Sequence, residues 1–476
     1  MHLEECPTPG MAMTGHTMPE SVELLCGLEE RPAFLDALIV ALQHVLAMFV
    51  GIITPPVILG EALKLPAEDT AYLVSTALLV SGIGTILQTR RIGPVGSGLL
   101  SVQGTSFAFI PPILAAAGTV MAAGGGVREA LGVAFGVSAA TAPLIIILSR
   151  CIHRARRLFT PIVTGTVVAL IGLTLLQVAA TNVGGGLEAK ADGSFGSVKN
   201  LGLAAIVVVT ILVFSCCRSR QLRMLSVIIG LLVGDLIGIA MGGVDFSNLR
   251  SVPALAIPMP FRFGLGFRPE AVVPFAFTYV VSSVEAVGDL TATAALSGQA
   301  VSGPAFTERL RGGLLADGIS SMLGACLGCS PTTTFAQNNG VIQLTGVGSS
   351  YVGRFIGGLL VLIGLVPAVG VLVQAMPRAA LGGATLIMFG LVAAAGVRIL
   401  SGAPVSRRTA IIIAVSLGAG LGVSFVPELL SQLPALLRNT LSSGIATGGL
   451  CALILDNVVP HAHDIPNNRL GERNNE

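Results

Sequence analysis

Two short stretches decide how this 476-residue chain folds. The first is Gln103-Gly104-Thr105-Ser106-Phe107-Ala108-Phe109, followed by Pro111-Pro112. The second is Phe335-Ala336-Gln337-Asn338-Asn339-Gly340, with Pro331 just before it. Each sits inside an apolar segment and interrupts it with amides and hydroxyls, so neither reads as one continuous apolar helix. Backbone that leaves the helix at membrane depth persists only where protein or a water-filled cavity satisfies it. The Thr/Ser/Phe and Thr/Phe residues of these stretches favour extended backbone. The reading is a short β-strand followed by a half-helix in each.

The rest of the chain supplies the membrane context. Hydrophobic residues make up 53% and charged residues 11%, against about a quarter charged in soluble chains. With 27 Lys+Arg and 25 Asp+Glu, there is too little charge to cover a soluble globule. The net charge of +2 excludes a broad nucleic-acid face, and the hydrophobicity excludes disorder. What remains is an all-α polytopic membrane protein. A span needs about 20 apolar residues. Candidate spans start near residues 33, 70, 99, 127, 160, 201, 222, 271, 311, 332, 353, 379, 408 and 439. About 14 transmembrane spans are therefore expected, the interrupted ones being the third and the tenth.

Loop charge sets orientation. Arg90, Arg91, Arg150, Arg154, Arg156, Arg157, Arg218, Arg220 and Arg223 fall on one side, with Arg309, Arg311, Arg354, Arg398, Arg407 and Arg408, and the tails add Arg31, Arg469 and Arg473. The other side, with Lys64, Arg128, Lys190, Lys199, Arg250, Arg262, Arg268, Arg378 and Arg438, carries half as many cations as those loops and tails together. The positive-inside rule then places both termini in the cytoplasm and makes the span count even. The N-terminus starts polar and acidic and offers no cleavable signal. The eight cysteines follow no disulfide framework. Cys326-x-x-Cys329 has no second pair, so it reads as buried small side chains and not as a metal site.

The interruptions lie close to half the chain apart, as do His44 and Glu285. So do the Pro-led stretches Thr160-Pro161-Ile162-Val163-Thr164-Gly165 and Met376-Pro377-Arg378-Ala379-Ala380-Leu381. Corresponding broken helices in two halves point to a binding site at the bilayer midplane. Seven spans per half is an odd number, so the halves form a 7+7 inverted repeat, with spans 3 and 10 broken by short β-strands.

Ionisable groups inside spans are costly and are functional candidates by default. Glu285 lies deep in the eighth span, and Asp289 follows one turn later on the same helical face. Asp317 adds a third acid on the next span. Carboxylates so close repel, which suits a group that gains and loses a proton during a transport cycle. His44, inside the first span, relays protons or ties that span to its neighbour. Asp235 and Asp456 read as structural. Gln337 and Asn338 offer paired amides that donate and accept, suited to a planar ligand with alternating N–H and C=O groups. Phe107 offers a ring for such a ligand to stack on.

At Gln337-Asn338-Asn339-Gly340-Val341-Ile342-Gln343-Leu344-Thr345-Gly346 the chain resembles the nucleobase–ascorbate transporter family, the second class of nucleobase:cation symporters. That family's signature reads Gln, Glu or Pro, then Asn-x-Gly, four residues, Thr, and Gly, Arg or Lys. The resemblance implies a fourteen-span inverted repeat split into core and gate domains. It also implies a homodimer packed through the gates, elevator-type movement of the core, and proton symport. By position, Glu285 and Gln337 resemble the side chains that hydrogen-bond the base. Phe107 resembles the stacking aromatic, and Ala336 a backbone amide donor. Asn338, His44, Asp289 and Asp317 match positions tied to affinity, coupling or helix arrangement. Gln at the first signature position resembles the purine branch, and the stretch through Gly346 is most like bacterial xanthine permeases. Ser106, where xanthine-selective relatives often carry Asn, leaves uric acid open as a second substrate.

The expected organisation is a cytoplasmic tail (1–30), core domain (31–155), gate domain (156–268), core domain (269–376), gate domain (377–459) and C-terminal tail (460–476). The expected function is import of a purine nucleobase, xanthine or also uric acid, by proton-coupled alternating access in a bacterial inner membrane. Substrate contacts fall to Glu285, Gln337, Phe107, Ala336, Asn338 and Ser106, and coupling to His44, Asp289 and Asp317. The expected partners are the base, protons, lipid and a second copy, with no nucleic acid. No cofactor or metal is implied beyond the proton gradient. The alternative is a same-fold transporter or channel for uracil or an inorganic anion. An enzyme is not expected, because the acids and His44 lack a nucleophile–base pairing.

Overall fold

The computed structural model describes residues 24–155, 160–219, 222–223, 225–241, 253–402, 406–434, 437–438, 441 and 443–460. The expected tails therefore lie outside the described residues, apart from 24–30 and Pro460. So do Arg154, Arg156, Arg157, Arg220 and Arg250, as side chains, and the beginning expected for the last span.

The described chain is mostly helical. Among the described residues, eight helices are long and apolar enough to cross a membrane, or nine if one bent pair counts as a span. These eight include α1 (Phe34–Ala62), α2 (Ala67–Thr89), α6 (Pro161–Val183), α8 (Val198–Ser215) and α10 (Pro269–Leu296). α15 (Arg378–Ser401), α16 (Arg407–Phe425) and the stretch Val127–Cys151 complete the set. That last stretch comprises α4 (Val127–Thr141) and α5 (Pro143–Ala155). Shorter helices fill the intervals: α3 (Ile110–Ala122), α7 (Gly186–Asp192), α9 (Ser226–Ala240) and α17 (Gly444–Val458). α11 (Gly303–Leu327) is long but carries Arg309, Arg311 and Asp317. α13 (Ser350–Gly364) and α14 (Pro367–Ala375) are bent by 78° at their junction, where Pro367 blocks continuation of α13.

Two packing groups stand out. α2 lies along α13 and beside α1, and α11 lies along α5. α6 lies along α15, with α8 and α9 beside them and α16 against α17. Small residues let α6 and α15 approach closely, as expected where lipid gives no hydrophobic drive between helices. A Cβ at Gly172 would strike the Ala393 backbone, and one at Gly396 would strike Ala169. The two Pro-led stretches open these same two helices. Thr160 caps α6 by accepting from the Val163 N–H, and Pro377 immediately precedes α15.

Against α1, α2, α10 and α11 lie the two interruptions. β1 (Gln103–Thr105) and β2 (Thr332–Thr334) pair antiparallel, in the register Gln103 with Thr334, Gly104 with Thr333 and Thr105 with Thr332. β1 leads through a 3₁₀ turn at Phe107–Phe109 into α3, and β2 leads into α12 (Gln337–Thr345). Protein satisfies backbone that helices would otherwise satisfy internally. The Ser106 N–H donates to Pro331 O (2.8 Å) and the Phe335 N–H to Val102 O (3.0 Å). The Gln103 N–H donates to Thr85 Oγ1 (3.0 Å), and the Thr332 N–H to Ser321 Oγ (3.2 Å). The Phe335 ring lies where a Cβ on Gly104 would be, so this rung accepts only glycine.

Residues 24–30 are tied to the far end of α12. The Leu25 N–H donates to Gly346 O (2.8 Å), Gly348 N–H to Cys26 O (3.0 Å), and Ser350 N–H to Leu28 O (2.9 Å). Gly346 ends α12 at φ 68°, a left-handed conformation in which a side chain is strained. The last position of the signature thus has a local backbone reason to be glycine.

Candidate functional site

Three acids converge on the ladder. Asp317 (α11) is buried and its Oδ1 accepts from Gln103 Nε2 at 2.5 Å and from Gln88 Nε2 at 3.4 Å. Asp289 (α10) accepts on Oδ2 from Thr334 Oγ1 at 3.2 Å. One turn further along α10, Thr293 Oγ1 donates to Asn339 Oδ1 at 2.7 Å. The face of α10 that bears Asp289 and Thr293 therefore runs along β2 and α12. Glu285 continues that face one turn, about 6 Å, before Asp289. The carboxyls of Glu285, Asp289 and Asp317 are close enough to feel one another's charge.

Glu285 differs from the other two in having no hydrogen-bond partner among the described residues. The Gln337 side chain likewise has none, and both residues are half-buried. Ala336 and Gly340, one turn apart at the start of α12, are exposed small residues. They leave the backbone there open to approach, while Asn338 and Asn339 on the other side of the helix are buried. A carboxyl and a carboxamide with free bonding capacity, beside accessible backbone, form a suitable surface for the edge of a polar heterocycle.

The remaining expected residues are placed differently. Phe107 is buried, and Phe389 of α15 meets it edge-on, with centroids 5.2 Å apart and planes at 85°. Next to it, Ser106 is buried, and its Oγ has no partner among the described residues. Asn338 donates Nδ2–H to Leu100 O at 2.5 Å, so its amide ties α12 to the segment before β1. Its Oδ1 and both ring nitrogens of buried His44 lack partners in hydrogen-bond geometry, although the two side chains are neighbours. His44 thus places α1 beside α12 at Asn338.

Sequence reasoning assigned no role to Gln88, Gln103, Thr334, Thr293 or Asn339. Gln103 and Thr334 were visible as polar residues in or beside the interruptions, but their acid partners lie more than 40 residues away in the chain, as does Asn339, the partner of Thr293. A second unassigned cluster holds buried Asp69, which accepts from Arg128 Nε (2.9 Å) and Nη2 (3.1 Å) and from Arg262 Nη2 (2.9 Å). Arg262 also bonds Glu68 at 2.6 Å and stacks over the Tyr72 ring at 4.5 Å. Asp456 pairs with Arg408 at 2.9 Å and accepts from Thr160 Oγ1 at 2.5 Å, joining α17, α16 and α6. A cavity of about 620 Å³ lined by Lys199, Asn200, Gln374 and Arg378 contains none of the expected substrate residues.

Comparison with known proteins sets this geometry in context. The family model Xan_ur_permease, described as "Permease family", matches residues 35–429. The chain is 44% identical over 438 residues to the xanthine permease XanQ of Escherichia coli K12, covering 92% of this chain and 94% of that protein. The chain belongs to the nucleobase–ascorbate transporter family. Uric acid permease PucJ of Bacillus subtilis is 36% identical over 420 residues, covering 87% of this permease and 91% of PucJ. Among solved structures, the transmembrane domain of the cyanobacterial bicarbonate transporter BicA superposes with a TM-score of 0.55 at 15% identity. The match covers 90% of this permease and 99% of that domain. At that identity the likeness is one of fold.

Proposed function

We propose that this permease is a proton-coupled symporter that imports a purine nucleobase, xanthine and also uric acid, across a bacterial inner membrane. The observation that carries the reading is the pair Glu285 and Gln337, both half-buried and both without a hydrogen-bond partner among the described residues, on two elements packed together. The similarity to XanQ and PucJ supports the purine class. A base lies with its ring edge on Glu285, Gln337 and the Ala336 backbone. Phe107 supplies a stacking face, and Ser106 and Asn338 shape the pocket around it. Asp289, Asp317 and His44 serve coupling and helix arrangement.

In this reading the chain has about 14 spans in a 7+7 inverted repeat, with both termini cytoplasmic and a dimer packed through the gates. Segments 31–155 and 269–376 form the core, and 156–268 and 377–459 the gate. The core moves against the gate in an elevator-type cycle. Neutralising a buried carboxyl lowers the cost of carrying the site past the gate, which couples protons to the base. The inorganic-anion alternative has only fold likeness in its favour, and no Lys or Arg stands in either interrupted stretch. The test is radiolabelled uptake of xanthine, urate, guanine, hypoxanthine and uracil in cells lacking their own permeases, with and without a protonophore. Protonophore-sensitive accumulation of xanthine is expected. Sulfate or uracil competing better than xanthine would overturn the assignment.

A further inference from the structure

The two amides that bond Asp317 are held differently at their other ends. Gln88 is pinned, because its Oε1 accepts from the Ser97 N–H at 3.3 Å while its Nε2 also reaches Gly313 O at 3.5 Å. Gln103 Oε1 is buried and has no partner among the described residues. Turning the Gln103 amide about its last side-chain bond therefore breaks one hydrogen bond, that to Asp317, and no second one. An ionised carboxylate only accepts, whereas a protonated carboxyl also donates an O–H. An amide can serve either state, through Nε2–H or through Oε1. The ionisable groups facing Asp317 are Glu285 and Asp289 of α10. From α2 and β1 it meets the neutral amides, and from α5 its neighbour Gly318 meets Ile145 and Ile146. No cation among the described residues competes for it.

We propose that Gln103 is a positioning residue that reads the protonation of Asp317 and passes it to β1: it donates Nε2–H to the ionised acid and turns to accept the acid's O–H when a proton arrives. This rests on the proton-coupled reading above. β1 is the lever, because Gln103 lies in it four residues before Phe107, and the Gln103 N–H is itself bonded to Thr85. The arriving proton sits on the Asp317 carboxyl and is shared with Gln103 Oε1, so no other donor or acceptor is needed.

The pH profile of radiolabelled xanthine binding to the purified protein in lipid nanodiscs tests this, comparing wild type, Gln103→Leu and Gln103→Asn. The titration of xanthine itself is common to all three and cancels. Leu removes the partner of both states, but the bond to the ionised acid is charge-assisted and the stronger of the two, so its loss costs the ionised form more and the acid keeps its proton to higher pH. The binding midpoint of Gln103→Leu is expected to rise by about one pH unit. Gln103→Asn retains a shorter amide and is expected to shift less in the same direction. A uniform loss of affinity with the midpoint unmoved would make Gln103 merely structural and overturn the inference. If the Leu variant does not fold, an Asn profile that overlays wild type overturns it equally. PH-independent xanthine binding by the wild type would instead remove the coupling reading and this inference with it.

Discussion

Gln103 and Thr334 face each other across one rung of the two-stranded ladder, and their side chains bond two different acids, Asp317 of α11 and Asp289 of α10. Directly opposed residues of an antiparallel pair project to the same face, so one rung collects carboxyls from two helices. A strand in the middle of a membrane protein does here what a helix would not. It presents backbone-anchored side chains two at a time, three or four residues from Phe107 and Gln337.

Thr334→Val keeps the shape of the side chain but removes the donor to Asp289. A hydrogen bond to a charged group contributes about 1.5–3 kcal/mol, so xanthine uptake per molecule in the membrane should fall roughly tenfold or more. Uptake normalised to immunoblot level checks this, and an unchanged rate would separate Asp289 from transport.

Glu285→Gln keeps a hydrogen-bonding side chain of the same length but cannot exchange a proton with the gradient. Proton-driven accumulation of xanthine should be lost while the protein still reaches the membrane. Accumulation at the normal level would remove Glu285 from its central place.

Phe107 and Phe389 touch edge-on, so their truncations should differ. If the base stacks on Phe107, Phe107→Ala should weaken xanthine binding by about 1–3 kcal/mol, the range for base–aromatic stacking. Phe389→Ala removes only the edge contact, about 0.5–1.5 kcal/mol. Equilibrium binding to both variants decides, and a larger loss at Phe389 would contradict the stacking role.

Arg262 is shared by Asp69, Glu68 and the Tyr72 ring, and joins the segment before α10 to α2. Arg262→Met leaves buried Asp69 with Arg128 alone. The melting temperature in detergent should fall, reflecting a loss of about 2 kcal/mol for a hydrogen bond to a charged group. Glu68→Gln, at an exposed carboxyl, should change it far less.

Cys26, outside the spans, tests the tie between residues 24–30 and α12. Burial pushes its thiol above the usual range, and the Glu30 carboxylate pushes it further. Only the thiolate attacks a maleimide, so labelling near neutral pH should be slow and should accelerate as pH rises past the ordinary thiol range. Glu30→Gln should speed it at fixed pH, whereas exposed Cys151 should label quickly in both proteins. Equal rates at Cys26 and Cys151 would show that the segment is not held down.

Much was legible from local chemistry. In lipid only helices and closed barrels satisfy the backbone, the long continuous apolar runs of this 11% charged chain select helices, and the signature from Gln337 to Gly346 named the family. The candidate acids stood out because Glu285, Asp289 and Asp317 are expensive in apolar runs. The span count was less legible, since length and hydropathy cannot distinguish a full span from helices such as Ser226–Ala240 and Gly444–Val458, or from the bent pair at Val366. The Asp69–Arg128–Arg262 cluster was invisible, because charges at loop ends look solvated until packing excludes water from one of them.

The amino-acid order by itself determined that Gln103 and Gln337 interrupt apolar segments, because an amide in lipid needs a partner wherever it falls. Only the tertiary structure decided which amide has one. Gln103 spends its N–H on Asp317, Asn338 spends its own on Leu100, and Gln337 has no partner among the described residues. Hydrogen bonds reach about 3 Å through space and take no account of the more than 200 residues between the partners along the chain.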